Sequence, residues 1–368
     1  MIGKKGTGKI KVKNRTILQN PFTPLFLVGA VFLLSSASFV LFAEADREGD
    51  VDLLIRQGVH HTVKHEYDGA LACYRRITEI DPQGPTGYFY QAAVLQSRMM
   101  DLEIQDDEKE FYRLVDRTIR LARARLDRNS GDAEAYFYLG GAYGYKAFYQ
   151  LRKREWLPAF SNSIKGISVL QKCLTIDPEY YDCYAGLGTY KYWRSQKLEF
   201  INWLPIVKDE RELGIRLLEQ AIQRGKYSKY AGISSLGWIL MDYGRLDQAI
   251  ATLEEGLKDY PDSRHFLWGL AKAYRKKGSI PRSNQIYRQI LGSVRGEKIN
   301  NHFNEISCHE MIASGLYELK EYDDALRECQ QALSYSLDRR IERMARGKIE
   351  HIRRIMAECE RRLYAEAR

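Results

Sequence analysis

Small residues recur along this chain at a fixed distance from one another, and each set is framed by the same larger ones. Gly237 is followed 12 residues later by Ala249, then by Leu253, Gly256 and Pro261. Gly58 is followed at the same distance by Ala70, then by Tyr74, Ile77 and Pro82. Ala271 leads in the same way to Ser283, Tyr287 and Ile290, and Ala313 to Ala325, Cys329 and Ala332. The spacing has a physical cause. Two antiparallel helices approach closely only where a small residue on each faces the other, and large residues one turn away fill the next layer. A proline beyond the last turn stops the second helix. Turn residues fall between the helices at Tyr243-Gly244-Arg245, Lys277-Gly278-Ser279 and Glu321-Tyr322-Asp323. Such a chain folds as a row of helix pairs, each burying its apolar face against the next.

The middle of the chain keeps the pairing and changes the length. Gly140 pairs with Gly166 and Gly188 with Gly214, both at an interval of 26. The extra residues predict helices longer by roughly two turns, about 10 Å. Both long units carry one tripeptide in the added region, Trp156-Leu157-Pro158 and Trp203-Leu204-Pro205. Proline suits the first turn of a helix, so each tripeptide is expected to begin the second helix of its pair.

These residues resemble the tetratricopeptide repeat. The family pattern of an aromatic, then Leu-Gly, then Tyr is matched by Tyr136, Leu139-Gly140 and Tyr143. Tyr184 and Leu187-Gly188 match it again, with Lys191 in place of the last Tyr. The resemblance implies an all-α fold, a right-handed α-solenoid of about seven helix pairs over residues 51–336. The units fall at about 51–84, 85–132, 133–180, 181–229, 230–263, 264–297 and 306–339, the second to fourth lengthened. Residues 337–368, with 10 Lys or Arg against 6 Asp or Glu, read as a charged capping helix.

In this family the first helices of successive pairs line a concave groove. The matching positions imply a groove of Phe89, Phe137, Tyr145, Tyr192, Trp193, Trp238, Trp268 and Tyr317, with Lys272, Arg275 and Lys276 towards its C-terminal part. Rings with a few cations suit a helix or an extended peptide as ligand. Inter-repeat packing is the competing use of the same rings. The family's clamp for a C-terminal carboxylate needs Lys and Asn where this chain has Ile55 and Val59, which disfavours that ligand.

Before the repeats, residues 1–24 form a basic tail and Leu25–Ala43 is uncharged. As a helix these 19 residues would span roughly 28 Å, near the thickness of a bilayer core. Basic residues before the span and acidic ones after it predict a single-pass inner-membrane protein, N-terminus cytoplasmic and repeats periplasmic. Ala43-Glu44-Ala45 also has the form of a signal-peptidase site, which would release the body as a secreted or periplasmic protein. The apolar run is longer than the usual signal core, so the anchor is preferred. Gly3–Lys9 imitates a phosphate-binding loop but ends at Ile10, where a Ser or Thr hydroxyl is needed. The tail holds six of the 57 basic residues, leaving 51 against 48 acidic ones in the rest, so a nucleic-acid partner is not expected.

No catalytic motif is present, and the repeats use nearly the whole length, so the chain is expected not to be an enzyme and to need no cofactor. His61 and His65, four apart on one predicted helix, could share a metal, but an ordinary pair is expected and no metal site is assigned. Cys173 and Cys183 flank the Asp177-Pro178 turn, as buried thiols or as a disulfide. The function expected is a membrane-anchored scaffold or adaptor for a protein or peptide partner, in an envelope assembly or export complex. A cytosol-facing organellar preprotein receptor and an envelope glycan-modifying enzyme are the alternatives. The enzyme would require a polar cleft beside Trp156 or Trp203.

Overall fold

The computed structural model describes residues 49–197 and 208–366, and all fifteen elements among them are helices. They are α1 (49–63), α2 (Tyr67–Ile80), α3 (Thr86–Asp101), α4 (Glu108–Arg128) and α5 (Ala133–Arg152). Next come α6 (Trp156–Ile176), α7 (Asp182–Lys197), α8 (Arg211–Arg224), α9 (Lys229–Asp242) and α10 (Leu246–Asp259). The last five are α11 (Arg264–Lys276), α12 (Ile280–Arg295), α13 (Phe303–Glu318), α14 (Tyr322–Leu333) and α15 (Arg339–Glu366). The basic tail and the apolar segment 25–43 lie outside the described residues. Among the described residues no helix is long and apolar enough to cross a membrane.

Each helix packs on its successor, and α3, α5, α7, α9 and α11 also touch in turn as one inner layer. The spiral is a solenoid of helix pairs, α13 and α14 being closed off by α15. The small-residue pairs are its contact points. A Cβ on Gly188 would stand 2.6 Å from the carbonyl oxygen of Gly214, and the reverse contact is the same. Gly140 and Gly166 meet similarly, at 3.0 Å.

Five hairpins turn by one device. A single residue takes a left-handed φ: Gly244, Gly278, His65, Arg154 and Lys320. The next backbone N–H then donates to a carbonyl five residues back, as in Glu66 to His61, Arg245 to Leu240 and Glu321 to Leu316. This is the Schellman closure of a helix end, favoured at glycine and used here at three other residues. His65 is therefore in a turn, not on the helix that carries His61.

The third unit is lengthened in both helices, α5 and α6 having 20 and 21 residues against 14 in each of α9 and α10, and the second in its second helix, α3 and α4 having 16 and 21. Trp156 begins α6, as the tripeptide predicts. In the next pair α8 starts at Arg211, after non-helical residues 208–210. Arg211 is held there by Asp209, whose carboxylate accepts from the backbone and side chain of Arg211. Trp203–Pro205 lie outside the described residues.

The solenoid also meets itself. The hydroxyl of Ser263 donates to the carbonyl of Val63 at 2.8 Å, and Asn304 donates to the carbonyl of Asp101 at 2.6 Å. Asn301 and Arg340 donate to carbonyls of residues 102 and 103. The turn of chain from α1 to α4 thus rests on α11, α13 and α15, some 200 residues away in sequence.

Candidate functional site

Where the spiral closes, α3, α9, α11 and α13 line an open recess, the cavity referred to below, of about 500 Å³. Its apolar walls are Trp238 from α9, Trp268 from α11, Phe303 and Met311 from α13, and Met100 from α3. Residues three or four apart share one helix face, which is why Arg264, Trp268 and Lys272 all reach it. Phe303, Ser307 and Met311 do the same on α13. The Lys272 ammonium stands 5.2 Å from the Trp238 ring and Lys348 stands 5.8 Å from Phe303, both cation–π distances. Lys348 also pairs with Glu310 at 3.0 Å. Arg152 pairs with Glu103, Arg264 with Asp101 and Glu297, and Lys348 with Glu310, which leaves Lys272 as the lining cation without a carboxylate partner among the described residues.

One wall is a buried polar cluster. Arg264, 2% exposed, reaches Asp101 with Nε at 2.9 Å, and its other nitrogens reach Ser293 and Glu297. The backbone N–H of Arg264 donates to His65 Nε2 at 2.8 Å, leaving Nδ1 to face Asp101 at 3.2 Å. Tyr67 donates its hydroxyl to the same carboxylate at 2.9 Å. Burial opposes ionisation of Asp101, but the hydrogen bonds from His65 and Arg264 outweigh it and hold its carboxyl far below the usual range. His265 stacks on His65 with ring centres 4.7 Å apart and faces the carbonyl of Thr62. Burial, with the neighbouring His65, pushes it down to about 4.

Of the residues expected in a groove, the cavity gathers Trp238, Trp268 and Lys272. Phe89 and Tyr192 are core residues rather than groove walls, at 3% and 0% exposure. Phe89 enters between repeats because Gly141 leaves room for it: a Cβ there would stand 2.7 Å from the ring. Phe137 and Tyr145 pack on Phe89 at 5.5 and 4.9 Å, and Trp193 packs edgewise on Tyr192 at 5.2 Å. Arg275 is bound to Ser314 and Glu318, and Tyr317 leans on Tyr322. Lys276 is exposed, with its ammonium 3.5 Å from the carbonyl of Met241.

The expectation missed Phe303, Met311 and Lys348, although the period of α13 already places 303, 307 and 311 on one face. Nothing local in the sequence brings Met100 and Asp101 to that face. His61 bonds to Glu66 and His65 to Asp101, so the two point to different partners. Among the described residues no group of three metal-ligating side chains is present. Cys173 and Cys183 are buried free thiols, and Cys173 donates to the carbonyl of Ala133. Trp156 is 63% exposed at a hairpin tip, away from the cavity.

Comparison with known proteins agrees with the repeat class. Residues 235–297 match the family model described as tetratricopeptide repeat, which covers most of α9 and all of α10, α11 and α12. No curated protein matches the sequence. Among solved structures, the Cut9-Hcn1 hetero-tetramer of APC/C is similar over 76% of this chain at 16% identity and a TM-score of 0.49. The match spans 45% of that chain, less than half its length. A thermophilic tetratricopeptide protein of Thermus thermophilus matches over 61% of this chain and 98% of its own at 20% identity and a TM-score of 0.38. PilW, a type IV pilus biogenesis factor, matches over 67% and 94% at 14% identity and 0.42.

Proposed function

We propose that this chain is a scaffold that holds a segment of a partner protein in the cavity between α3, α9, α11 and α13. The observation that carries the reading is the pairing of two tryptophans with a lysine. Trp238 and Trp268 flank a space that Lys272 lines with no carboxylate partner among the described residues. Large rings at the centre of a recessed surface are where binding energy concentrates in protein interfaces. The uncompensated Lys272 beside the rings favours a segment with an apolar side chain next to a carboxylate. A volume of about 500 Å³ accommodates a few side chains of such a segment. The long repeat array and the repeat match at residues 235–297 suit a scaffold better than a catalyst.

On this reading segment 25–43 tethers the scaffold to a membrane, with the repeats on the extracytoplasmic side, where it serves an envelope assembly or export complex. The test is site-specific photocross-linking from the full chain in its native membranes. A probe at Trp268 or Met311 is expected to capture a discrete protein, and Trp238→Ala to weaken that capture about tenfold or more. Capture only from the outer face, for example from Lys258, would overturn the reading.

A further inference from the structure

We propose that the tip of the α5–α6 hairpin is a wedge that inserts into the surface of an anionic lipid bilayer. Among the described residues six of the eleven exposed large apolar side chains crowd into this one tip: Phe148, Leu151, Trp156, Leu157, Phe160 and Ile164. Trp156 is 63% exposed, Phe160 65% and Leu157 84%. The two rings alone leave roughly 250 Å² of apolar surface open, taking an aromatic side chain as about 150–250 Å². With the other four the patch passes the few hundred Å² that ordinary soluble monomers expose.

The patch has a direction. Trp156, Phe160 and Ile164 stand four apart on α6, and the stripe continues inward through Ile167 to Leu170 and Cys173 in the core. Toward the tip α6 still packs on α5 through Ala159, which is fully buried, and through Asn162, which donates to Gln150 at 2.8 Å, while Trp156, Phe160 and Ile164 on its other side are exposed. The added turns of this pair therefore carry the apolar stripe beyond the reach of its neighbours.

The chemistry of the tip separates a bilayer from a protein partner. It is the end of a hairpin, and its rings are largely exposed there. Residues 156–164 include no charge; Arg152, Lys153, Arg154 and Glu155 precede them, Glu155 lying 3.4 Å from Lys153, and Lys165 follows. Arg152 and Lys153 are paired with Glu103 and Glu108. Arg154 and Lys165 pair with no carboxylate among the described residues, and Arg154 sits in the left-handed turn itself. Aromatic and leucine side chains at the depth of the headgroups, with Lys or Arg at the phosphates, are what interfacial segments present. The backbone N–H groups of Arg154 and Glu155 in the turn donate to the carbonyls of Leu151 and Gln150, and the first N–H groups of α6, which have no side-chain cap, sit at headgroup depth.

The six exposed apolar side chains of this wedge are not among those lining the cavity, which it meets only through Arg152, and the wedge is inferred without recourse to segment 25–43. The experiment must therefore report the depth of the tip rather than membrane attachment as such. The full chain carrying Leu157→Cys is labelled with an environment-sensitive fluorophore and reconstituted into vesicles of phosphatidylglycerol or of phosphatidylcholine. A second chain is labelled at Leu319→Cys, an exposed site on another part of the solenoid. The expected result is quenching of the label at 157 by bromine-labelled lipid in phosphatidylglycerol, and none at 319. Arg154→Ala is expected to lower the inserted-to-free ratio about fivefold, the equivalent of about 1 kcal/mol for one cation at an anionic surface. Absence of lipid quenching at 157 in both lipids would overturn the proposal. So would a fluorescence change at 157 that ignores brominated lipid and grows with protein concentration, because the tip would then be covered by a second copy of the chain. Since every substituted side chain is exposed, an unchanged helical spectrum separates either outcome from misfolding.

Discussion

The Arg264 guanidinium meets the Asp101 carboxylate through Nε at 2.9 Å, joining residues 163 positions apart inside the protein. A buried ion pair adds little net stability against an apolar replacement, but breaking it strands the remaining charge. Arg264→Met leaves Asp101 buried with only His65, Tyr67 and the backbone around it. A loss of roughly 3–5 kcal/mol in urea denaturation is expected. Asp101→Asn should cost comparably, because Arg264 keeps only Glu297 as a charged partner. The double variant should cost clearly less than the sum of the two. Additive losses would mean that the pair is not a coupled unit.

The same contact fixes the size of the cavity, since Asp101 and Arg264 are both in its wall. Small-angle scattering of Arg264→Met should show an increased radius of gyration as α1 to α4 lift from α11 and α13. An unchanged radius together with lost stability would assign the pair to local packing alone.

Gly188 and Gly214 make the α7–α8 contact, and neither has room for a methyl group. A Cβ on Gly214 would lie 2.6 Å from the backbone oxygen of Gly188 and 2.9 Å from the nitrogen of Tyr192. Backbone atoms cannot swing aside as a side-chain end does, so the helices must separate. Gly214→Ala is expected to destabilise by about 1–3 kcal/mol despite the better helix propensity of alanine. Gly292→Ala is the control, because nothing lies within 4 Å of its position and alanine should there be neutral or stabilising.

These glycine contacts were legible in the sequence because small residues at a fixed spacing have few other reasons to recur. The helix start at Trp156 was legible for the same reason, as a proline signal set in a known period. Ring positions were harder. Phe89 and Trp268 both fall on first helices, and only the room at Gly141 decides that Phe89 turns inward. The closure through Asp101 and Arg264 was not legible at all. It depends on how small rotations between successive pairs add up, and no single residue encodes that sum. The Asp209 side chain that binds the backbone and guanidinium of Arg211 at the start of α8 carried no signal of its own in the repeat period.

The left-handed turns allow a paired test. Gly278 and Lys320 hold equivalent turn positions with φ of 81° and 64°. A side chain costs roughly 1–2 kcal/mol in this conformation. Gly278→Ala should therefore destabilise by about 1 kcal/mol. Lys320→Gly should gain a few tenths of a kcal/mol, since the added chain entropy of glycine offsets part of the relief. Thermal unfolding of both variants reads the contrast, and equal effects of one sign would show that turn geometry does not limit stability here.

Protonation should loosen the closure from both of its titrating sides, in two separate windows. His265 has its pKa lowered from 6.5 to about 4, so between these values the unfolded chain binds a proton that the folded chain refuses. Stability from this group is complete above pH 6.5 and falls as pH drops to about 4, by roughly 3 kcal/mol at most. Asp101 acts lower. Its folded pKa is depressed, so its contribution is intact above the unfolded value of 3.8 and is lost as pH falls below it. Urea midpoints should thus decline from pH 7 to pH 4 and decline again in stronger acid. His265→Gln keeps an N–H for the carbonyl of Thr62 but cannot take up a proton, so it should flatten the first decline and leave the second. A first decline of full size in His265→Gln would move the origin of the pH sensitivity to another histidine.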